Sequence, residues 1–382
     1  MPLLCLASLA GGGAALAEGR GAGPPPVTIE AAYTADFLAN VSGGREEGSA
    51  HLDNLDMVIE GDLERLLGWS DSRFVLYGLY NNGRCFSERY VGDAQVVSNI
   101  ETGIEALRLF EAYVETGLGD DGSVLFGLYD LNSEFDALEA SGLFLNSAHG
   151  IGTDIGQTGE AGPSIFPVTS LALRLAWQWN ERWRTRLAVL DAVPGVPDDP
   201  DRTAVDLGES QGFLLVGELE RTWRNARVLA GAWRYTAAFE DHRAHAGTTI
   251  EARGNHGAYL RGEWRPGGGN PALFGRLGWA APRFNAFEWF ASAGAVWEDA
   301  PGGGQLGVAL ALAESSEPFR EKRLASGARP DPREIALELT YAVTVTEWLS
   351  LQPGLHYVID PGLDPSLGNA LVAGLRVTLT FL

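Results

Sequence analysis

Period-two alternation of apolar and polar residues dominates this chain, and it is cleanest at the C-terminus. From Ala370 to Phe381, apolar Leu371, Ala373, Leu375, Val377, Leu379 and Phe381 alternate with Gly374, Arg376, Thr378 and Thr380. Such a period gives a strand one oily and one wet face. About sixteen strand-like runs are present, at roughly 27–34, 50–60, 73–81, 106–118, 123–131, 168–180, 183–193, 211–223, 226–236, 257–265, 273–279, 288–297, 306–313, 334–346, 348–359 and 370–381. No helix-period stretch competes with them. The segment from Asp62 to Trp69 predicts one or two helical turns within a connection.

The connections alternate in length. Short ones are Gly119-Asp120-Asp121-Gly122, Asn180-Glu181-Arg182, Arg224-Asn225 and Glu347; long ones are 82–105, 132–167, 194–210, 237–256, 314–333 and 360–369. Short turns follow even-numbered strands and long loops follow odd-numbered ones. An up-and-down barrel in the outer membrane has this asymmetry, with short periplasmic turns and long external loops. A soluble sandwich or propeller has no reason to keep it. The expected fold is all-β: a transmembrane antiparallel up-and-down β-barrel of about sixteen strands, spanning 27–382.

Parity assigns the faces. In 168–180, Leu171, Leu173, Leu175, Trp177 and Trp179 point to lipid, while Arg174 and Gln178 point to the lumen. In 334–346, Ile335, Leu337, Leu339, Tyr341, Val343 and Val345 go outward, and Glu334, Glu338, Thr340 and Thr344 inward. In 257–265, Leu260, Gly262 and Trp264 oppose Tyr259, Arg261, Glu263 and Arg265. Charges thus prefer the lumen, as they must where an arginine at the lipid midplane costs about 2–4 kcal/mol. The runs 106–118 and 211–223 leave their facing open. A lumen lined by both Arg and Glu predicts a wide, wet interior.

Composition narrows the classes. Hydrophobic residues make up 45% of the 382, and no apolar run after the N-terminus is long enough for a helical membrane span, which excludes a helical membrane protein. Barrel strands, by contrast, need only about 9–11 alternating residues. Forty-nine glycines and eleven tryptophans suit barrel turns and interfacial aromatic belts. A formal net charge of −22 argues against a nucleic-acid partner, since phosphate binding needs a basic surface. Lys322 is the single lysine, so nearly all positive charge is arginine.

Residues 1–17 are uncharged, apolar and small, and end in Ala15-Leu16-Ala17, matching a signal peptide without its basic n-region, which leads us to expect a true start further upstream. Residues 18–26 then read as a flexible Pro/Gly lead-in. Cys5 leaves with the signal, so Cys85 is left without a disulfide partner.

Four segments carry a resemblance to a known family. They are Tyr90-Val91-Gly92-Asp93-Ala94-Gln95 through Ser98-Asn99-Ile100-Glu101; Gly127-Leu128-Tyr129-Asp130-Leu131-Asn132-Ser133-Glu134-Phe135-Asp136; Leu145-Asn146-Ser147 through Gly162-Pro163-Ser164-Ile165-Phe166-Pro167; and Leu351-Gln352-Pro353-Gly354-Leu355-His356-Tyr357-Val358-Ile359-Asp360-Pro361-Gly362. In order and spacing, the chain resembles the carbohydrate-selective porins, the OprB-like outer-membrane porins, over nearly its whole mature length. The resemblance implies a sixteen-stranded barrel in the outer membrane of a Gram-negative bacterium, through which sugars diffuse passively. Leu382 follows the closing aromatic, Cys85 stands where Ser is expected, and the arginine pattern of the lumen is only loosely comparable.

A sugar pore needs a constriction slightly wider than a monosaccharide, groups that exchange hydrogen bonds with hydroxyls, and binding weak enough for release. The loop at about 132–167 is the candidate to fold inward. Asp130, Asn132, Glu134 and Asp136 offer acceptors there, with Phe135 and Phe144 as stacking or packing surfaces. The favoured reading of the same residues is that they pin the loop to the wall by hydrogen bonds. Lumen residues Arg174, Arg261 and Arg376 either contact solute or form an Arg–Glu ladder, and Arg84 stands at the mouth.

The expected partners are small neutral sugars, together with outer-membrane lipid and lipopolysaccharide. Monomer and homo-oligomer both stay open. No cofactor and no metal are expected, and His242 with His245 reads as a plain external loop. A general, cation-preferring porin is the alternative within transport. A barrel enzyme would need an outward-facing Ser/His pair, and parity offers none. An anchoring or adhesion platform predicts longer, more repetitive loops.

Overall fold

The computed structural model describes residues 25–197, 199, 201–205, 212–244 and 249–381. The leader at 1–17, most of the lead-in at 18–26, and His245 lie outside the described residues. The chain opens with β1 (Val27–Gly44), β2 (Gly48–Asp62), β3 (Ser72–Asn82), β4 (Glu105–Leu118) and β5 (Gly122–Tyr129). The middle holds β6 (Ser170–Asn180), β7 (Trp183–Asp191), β8 (Phe213–Trp223), β9 (Ala226–Tyr235), β10 (Ala238–Glu240), β11 (Glu251–Arg253), β12 (His256–Trp264) and β13 (Ala272–Ala280). The last are β14 (Phe287–Ala300), β15 (Gly304–Ser315), β16 (Arg333–Thr346), β17 (Leu349–Ile359) and β18 (Gly368–Phe381).

Sixteen of these strands form one closed antiparallel barrel, and β10 with β11 forms a separate external hairpin. Closure comes from β1 against β18, with Ala31 opposite Phe381 and Asp36 opposite Arg376. A closed ring leaves no edge whose N–H and C=O groups would face lipid unpaired. Among the described residues no helix is long and apolar enough to cross a membrane. The expected two helical turns are one short helix, Leu63–Leu67, capped by Asp62 accepting from Arg65 N at 3.0 Å and closed by Gly68 at φ 77°.

The strand order agrees with the alternation, with one large difference at the start. The polar residues after Thr34 suggest a loop, yet β1 runs ten residues further, to Gly44, before turning at 45–47. Asp36 and Asn40 do not break the strand because they face the lumen. Asp36 meets Arg376, and the Asn40 amide donates to the carbonyls of Gly43, Glu46 and Tyr90 at 2.8–3.1 Å. This makes 45–47 a short connection at the long-loop end, and 281–286 is another.

The unclear facing of β4 has a local cause. Gly78 pairs with Leu109 and Tyr77 with Glu111, so Phe110 is an extra residue in a bulge. Before it, Leu107 and Leu109 point outward; after it, Val114 and Leu118 do. In β8 no such break occurs: Phe213, Leu215, Leu219 and Trp223 are exposed, and Leu214, Val216, Glu218 and Glu220 are buried. Outward Trp179, Trp223, Trp264, Trp297 and Trp348 lie near the short-turn ends, as an interfacial belt requires.

The interior is not the open channel that alternating charge suggests. Loops 83–104 and 130–169 turn inward and pack on the wall. Leu131, Phe135 and Ile155 join Tyr77, Tyr129, Trp233 and Tyr259 in one buried cluster. Phe86, Tyr90, Val91, Val97 and Ile100 bury against Leu38, Leu52, Val358 and Val372 in another. Each such side chain, fully buried, contributes about 1.5–3 kcal/mol, enough to hold a loop of this length inside.

The outward assignment is testable at Leu310, near the middle of β15 and 40% exposed. Leu310→Arg is expected to destabilise the barrel folded into vesicles by about 2–4 kcal/mol. A loss below about 1 kcal/mol in urea titration contradicts a lipid-facing Leu310.

Candidate pore constriction

Loop 130–169 leaves the top of β5 and enters the lumen through a short turn. Asp130 N donates to Glu111 at 3.0 Å, and Asp130 Oδ1 accepts from Asn132 N at 2.9 Å, capping the 3-10 turn Leu131–Ser133. The Asn132 amide reaches the carbonyls of Phe135, Asp136 and Gly150 at 3.1–3.3 Å. Asp130, Asn132 and Phe135 are buried, so all three shape the loop from within.

Glu134 differs from its neighbours. Its side chain stays 29% exposed while one carboxylate oxygen accepts from Tyr129 OH at 2.5 Å and lies 2.7 Å from Arg174 Nε. Arg174 also donates to Glu115 at 2.7 Å and Ser123 at 2.6 Å. Glu115 in turn accepts two bonds from Arg73, at 2.9 and 2.8 Å, and Arg73 lies 3.7 Å from Glu60. Strands β2, β3, β4 and β6 with the loop therefore carry a continuous ladder: Glu60, Arg73, Glu115, Arg174, Glu134. A second ladder on β7, β8 and β9 joins Glu218, Arg186, Glu220 and Arg227 at 2.8–3.1 Å.

Past Glu134 the loop is bolted down. Asp136 adopts φ 52°, a left-handed conformation uncommon for a residue other than glycine. Its N–H donates to Glu218 at 2.8 Å, and its two carboxylate oxygens each accept from Arg276 Nε at 2.9 Å. Arg276 also donates to Asp154 at 2.5 and 3.1 Å. Arg261 is fully enclosed: it donates to the carbonyls of Gly150 at 2.7 Å, His149 at 2.6 Å and Asp136, and to Ser141 Oγ. Further along, Ala140 N donates to Glu263 at 3.1 Å, and Gln352 donates to Leu143 O at 2.7 Å. Leu145 N and Asn146 N then donate to Glu338 at 2.7 and 2.9 Å. Phe144 packs on Phe274 and His149 rather than facing solute, with ring centroids at 5.5 and 5.0 Å. Burial, and then the charge of Arg261, lower the His149 pKa to about 3, so its ring is neutral.

Loop 83–104 closes the opposite quadrant. Arg376 donates twice to Asp36 at 2.7 Å and to Asn99 at 2.8 Å, while Ser98 Oγ donates to Asp36 at 2.6 Å. The two loops are tied together by Asn99 N to Leu145 O at 2.7 Å and Ser147 N to Val96 O at 3.0 Å. Arg84 is exposed at the start of this loop, and burial with Glu101 and Glu88 nearby pushes the adjacent Cys85 thiol up to about 11.

The structure thus separates the sequence candidates. Asp130, Asn132, Phe135, Asp136, Phe144 and Arg261 belong to the loop and its anchors. Glu134 and Arg174 meet on the ladder, Arg376 sits with Asp36 and Asn99 next to it, and Arg84 stands apart. Sequence reasoning missed Arg73, Glu115, Glu218, Arg276 and Gln352. Inward parity identifies Arg276 within the Phe274–Trp279 run, whereas the bulge in β4 hides Glu115.

Three comparisons bear on this arrangement. A family model described as carbohydrate-selective porin, OprB family, matches residues 46–381. Porin B of Pseudomonas aeruginosa is 23% identical over 91% of this chain and 86% of its own length. The high-pH structure of Pseudomonas putida OprB superposes with a TM-score of 0.82 at 19% identity, covering 93% of this chain and 94% of that one. A Rh. blastica porin mutant has the same fold more distantly, with a TM-score of 0.56 at 10% identity over 93% of this chain and 100% of that one.

Loop 83–104 carries a pH dependence of its own. Glu101 accepts from Ser87 N at 2.8 and 3.0 Å, yet burial outweighs these bonds and pushes its carboxyl up to about 7. Asp93 is raised as well, by burial and then by Glu334 and Glu101. Both acids hold protons in the packed loop at pH values where the released loop has lost them. Loop packing is therefore strongest below the ordinary carboxylate range, near pH 4, and weakens as pH rises toward 7. Hydrogen exchange over 86–101, corrected for intrinsic rate, is expected to be faster at about pH 8 than at about pH 5. The double variant E101Q/D93N should remove most of that difference; an unchanged difference refutes the assignment.

Proposed function

The chain belongs to the carbohydrate-selective porin family, and we propose that neutral sugars cross it along the ladder that runs from Glu60 to Glu134. It is an outer-membrane β-barrel porin of the OprB family, and porins are channels through which solutes pass by diffusion. The observation that carries the proposed path is the pairing of Glu134, on the in-folded loop, with Arg174 on the wall at 2.7 Å. Glu134 and Arg73 both keep accessible surface, at 29% and 48% of the side chain.

The chemistry of such a ladder suits a polyhydroxyl solute. Each sugar hydroxyl is both donor and acceptor. Guanidinium groups only donate and carboxylates only accept, so alternating Arg and Glu offer every hydroxyl a partner of either kind. Each contact replaces one the sugar makes with water, which keeps the net gain small and lets the solute leave. Alternating signs cancel in part: three carboxylates against two guanidinium groups leave the ladder one net negative charge, so it attracts ions only weakly. Arg376 on β18 and Asn99 on the loop beside it supply further polar groups next to the ladder, and Arg84 stands at the outer mouth. The outward face meets membrane lipid and lipopolysaccharide. The net charge of −22 belongs to the chain as a whole and does not set selectivity at the ladder.

Proteoliposomes test this reading. Entry of neutral mono- and disaccharides is compared with entry of amino acids and ions of matching size. Wild-type protein is expected to favour the sugars. The paired variant E134Q/R174Q, which replaces both charged groups by amides, should lower that preference by up to about tenfold, equivalent to about 1.4 kcal/mol. Sugar entry that follows size alone in the wild type, or a preference untouched in the variant, moves the sugar path away from this ladder.

A further inference from the structure

The constricting loop has two limbs, outbound from 130 to 147 and returning from 148 to 169. On the outbound limb, Asp136 sits two residues beyond Glu134 and bends the backbone at φ 52°. What keeps Asp136 in that conformation also decides where Glu134 stands in the lumen. Two wall arginines converge on it, but they act differently. Arg261 reaches the returning limb only through the carbonyl oxygens of His149 and Gly150, and its one ion pair is with Asp136, at 3.2 Å. Arg276 ion-pairs with both limbs, with Asp136 at 2.8 Å and with Asp154 on the returning limb at 2.5 Å.

The surroundings of Arg276 are built for this fork. Its side chain is fully buried, between the rings of Tyr259 and Phe290 at 5.4 and 5.1 Å. Two glycines make the room. A Cβ on Gly278, the next inward position of β13, would lie 2.1 Å from Asp154 Oδ2. A Cβ on Gly152, at the head of the returning limb, would lie 2.2 Å from Arg276 Nη1. Only a planar guanidinium can donate along two edges to two carboxylates at once, so a lysine cannot replace it.

We propose that Arg276 is a positioning residue that sets the size limit of the pore, by clamping both limbs of loop 130–169 to β13. It never touches solute. It acts through Asp136 and Asp154, and its loss leaves the buried Asp136 with Arg261 alone and takes both arginine bonds from the buried Asp154. The loop then relaxes away from its bend, and Glu134 is no longer held against the ladder. This inference rests on the loop bordering the passage, but not on the passage preferring sugars.

The test uses the full chain in planar bilayers, with neutral polyethylene glycols of graded size as the probe. In R276A the smallest glycol that fails to enter is expected to be larger than in wild type, and open-channel conductance should rise several-fold. G278A, which leaves Arg276 in place but crowds Asp154, should shift the cut-off in the same direction. R276K, which keeps charge but loses the fork, should fall between wild type and R276A. Heat-modifiable gel mobility selects folded barrels, so a role confined to barrel stability would reduce the folded yield without moving the cut-off. A cut-off that stays at the wild-type value, or falls, in folded R276A and G278A overturns the proposal. Because glycols measure size alone, that failure is distinguishable from loss of sugar preference in E134Q/R174Q.

Discussion

Backbone hydrogen bonding in a medium without water governs this molecule. Every N–H and C=O at membrane depth has to find a protein partner, and the antiparallel pairing of β1 with β18 meets that demand by closing the ring. Once the ring is closed, the alternation of each strand acquires its meaning. Leu173 and Leu339 face lipid because Arg174 and Glu338 cannot. The register that pairs Ala31 with Phe381 also brings Asp36 opposite Arg376, so the closing seam delivers an ion pair to the lumen.

A ring of sixteen strands encloses far more space than one sugar needs. The loops solve this by carrying apolar residues inward: Phe135, Phe144 and Ile155 on one, Phe86, Val91 and Val97 on the other. Their burial supplies the attraction, and buried carboxylates and arginines supply the placement. Glu334 and Glu338 each accept from consecutive loop amides, Ala94 and Gln95 for one, Leu145 and Asn146 for the other. An acceptor that must be satisfied, meeting N–H groups that must be satisfied, permits little drift. The polar lumen residues divide accordingly into those consumed in holding loops and those left facing water.

That division gives the barrel its chemical character. Arg261 and Arg276 are spent on the loop, whereas Arg73 and Glu134 keep accessible surface. The ladder they belong to alternates in sign, so it can exchange bonds with hydroxyls without concentrating charge. The short-turn end, ringed by Trp179, Trp223, Trp264, Trp297 and Trp348, fixes the depth at which the ladder sits in the membrane.

The alternating pattern by itself determined the barrel, the order of its sixteen strands and the outward or inward sense of most side chains, because strand periodicity is a local property of neighbouring residues. It also marked about 132–167 as the loop that folds inward and named Glu134, Arg174 and Arg261 among its candidates. Where alternation is locally broken, reading failed: the bulge at Phe110 hid Glu115, and lumen-facing Asp36 and Asn40 looked like the end of β1. Only the tertiary structure decided which polar residues anchor the loop and which keep accessible surface. Arg276 meets Asp136 and Asp154 across 140 and 122 residues of chain, and Arg376 meets Asp36 across 340. Such pairings depend on barrel closure and strand register, which no local stretch of sequence contains.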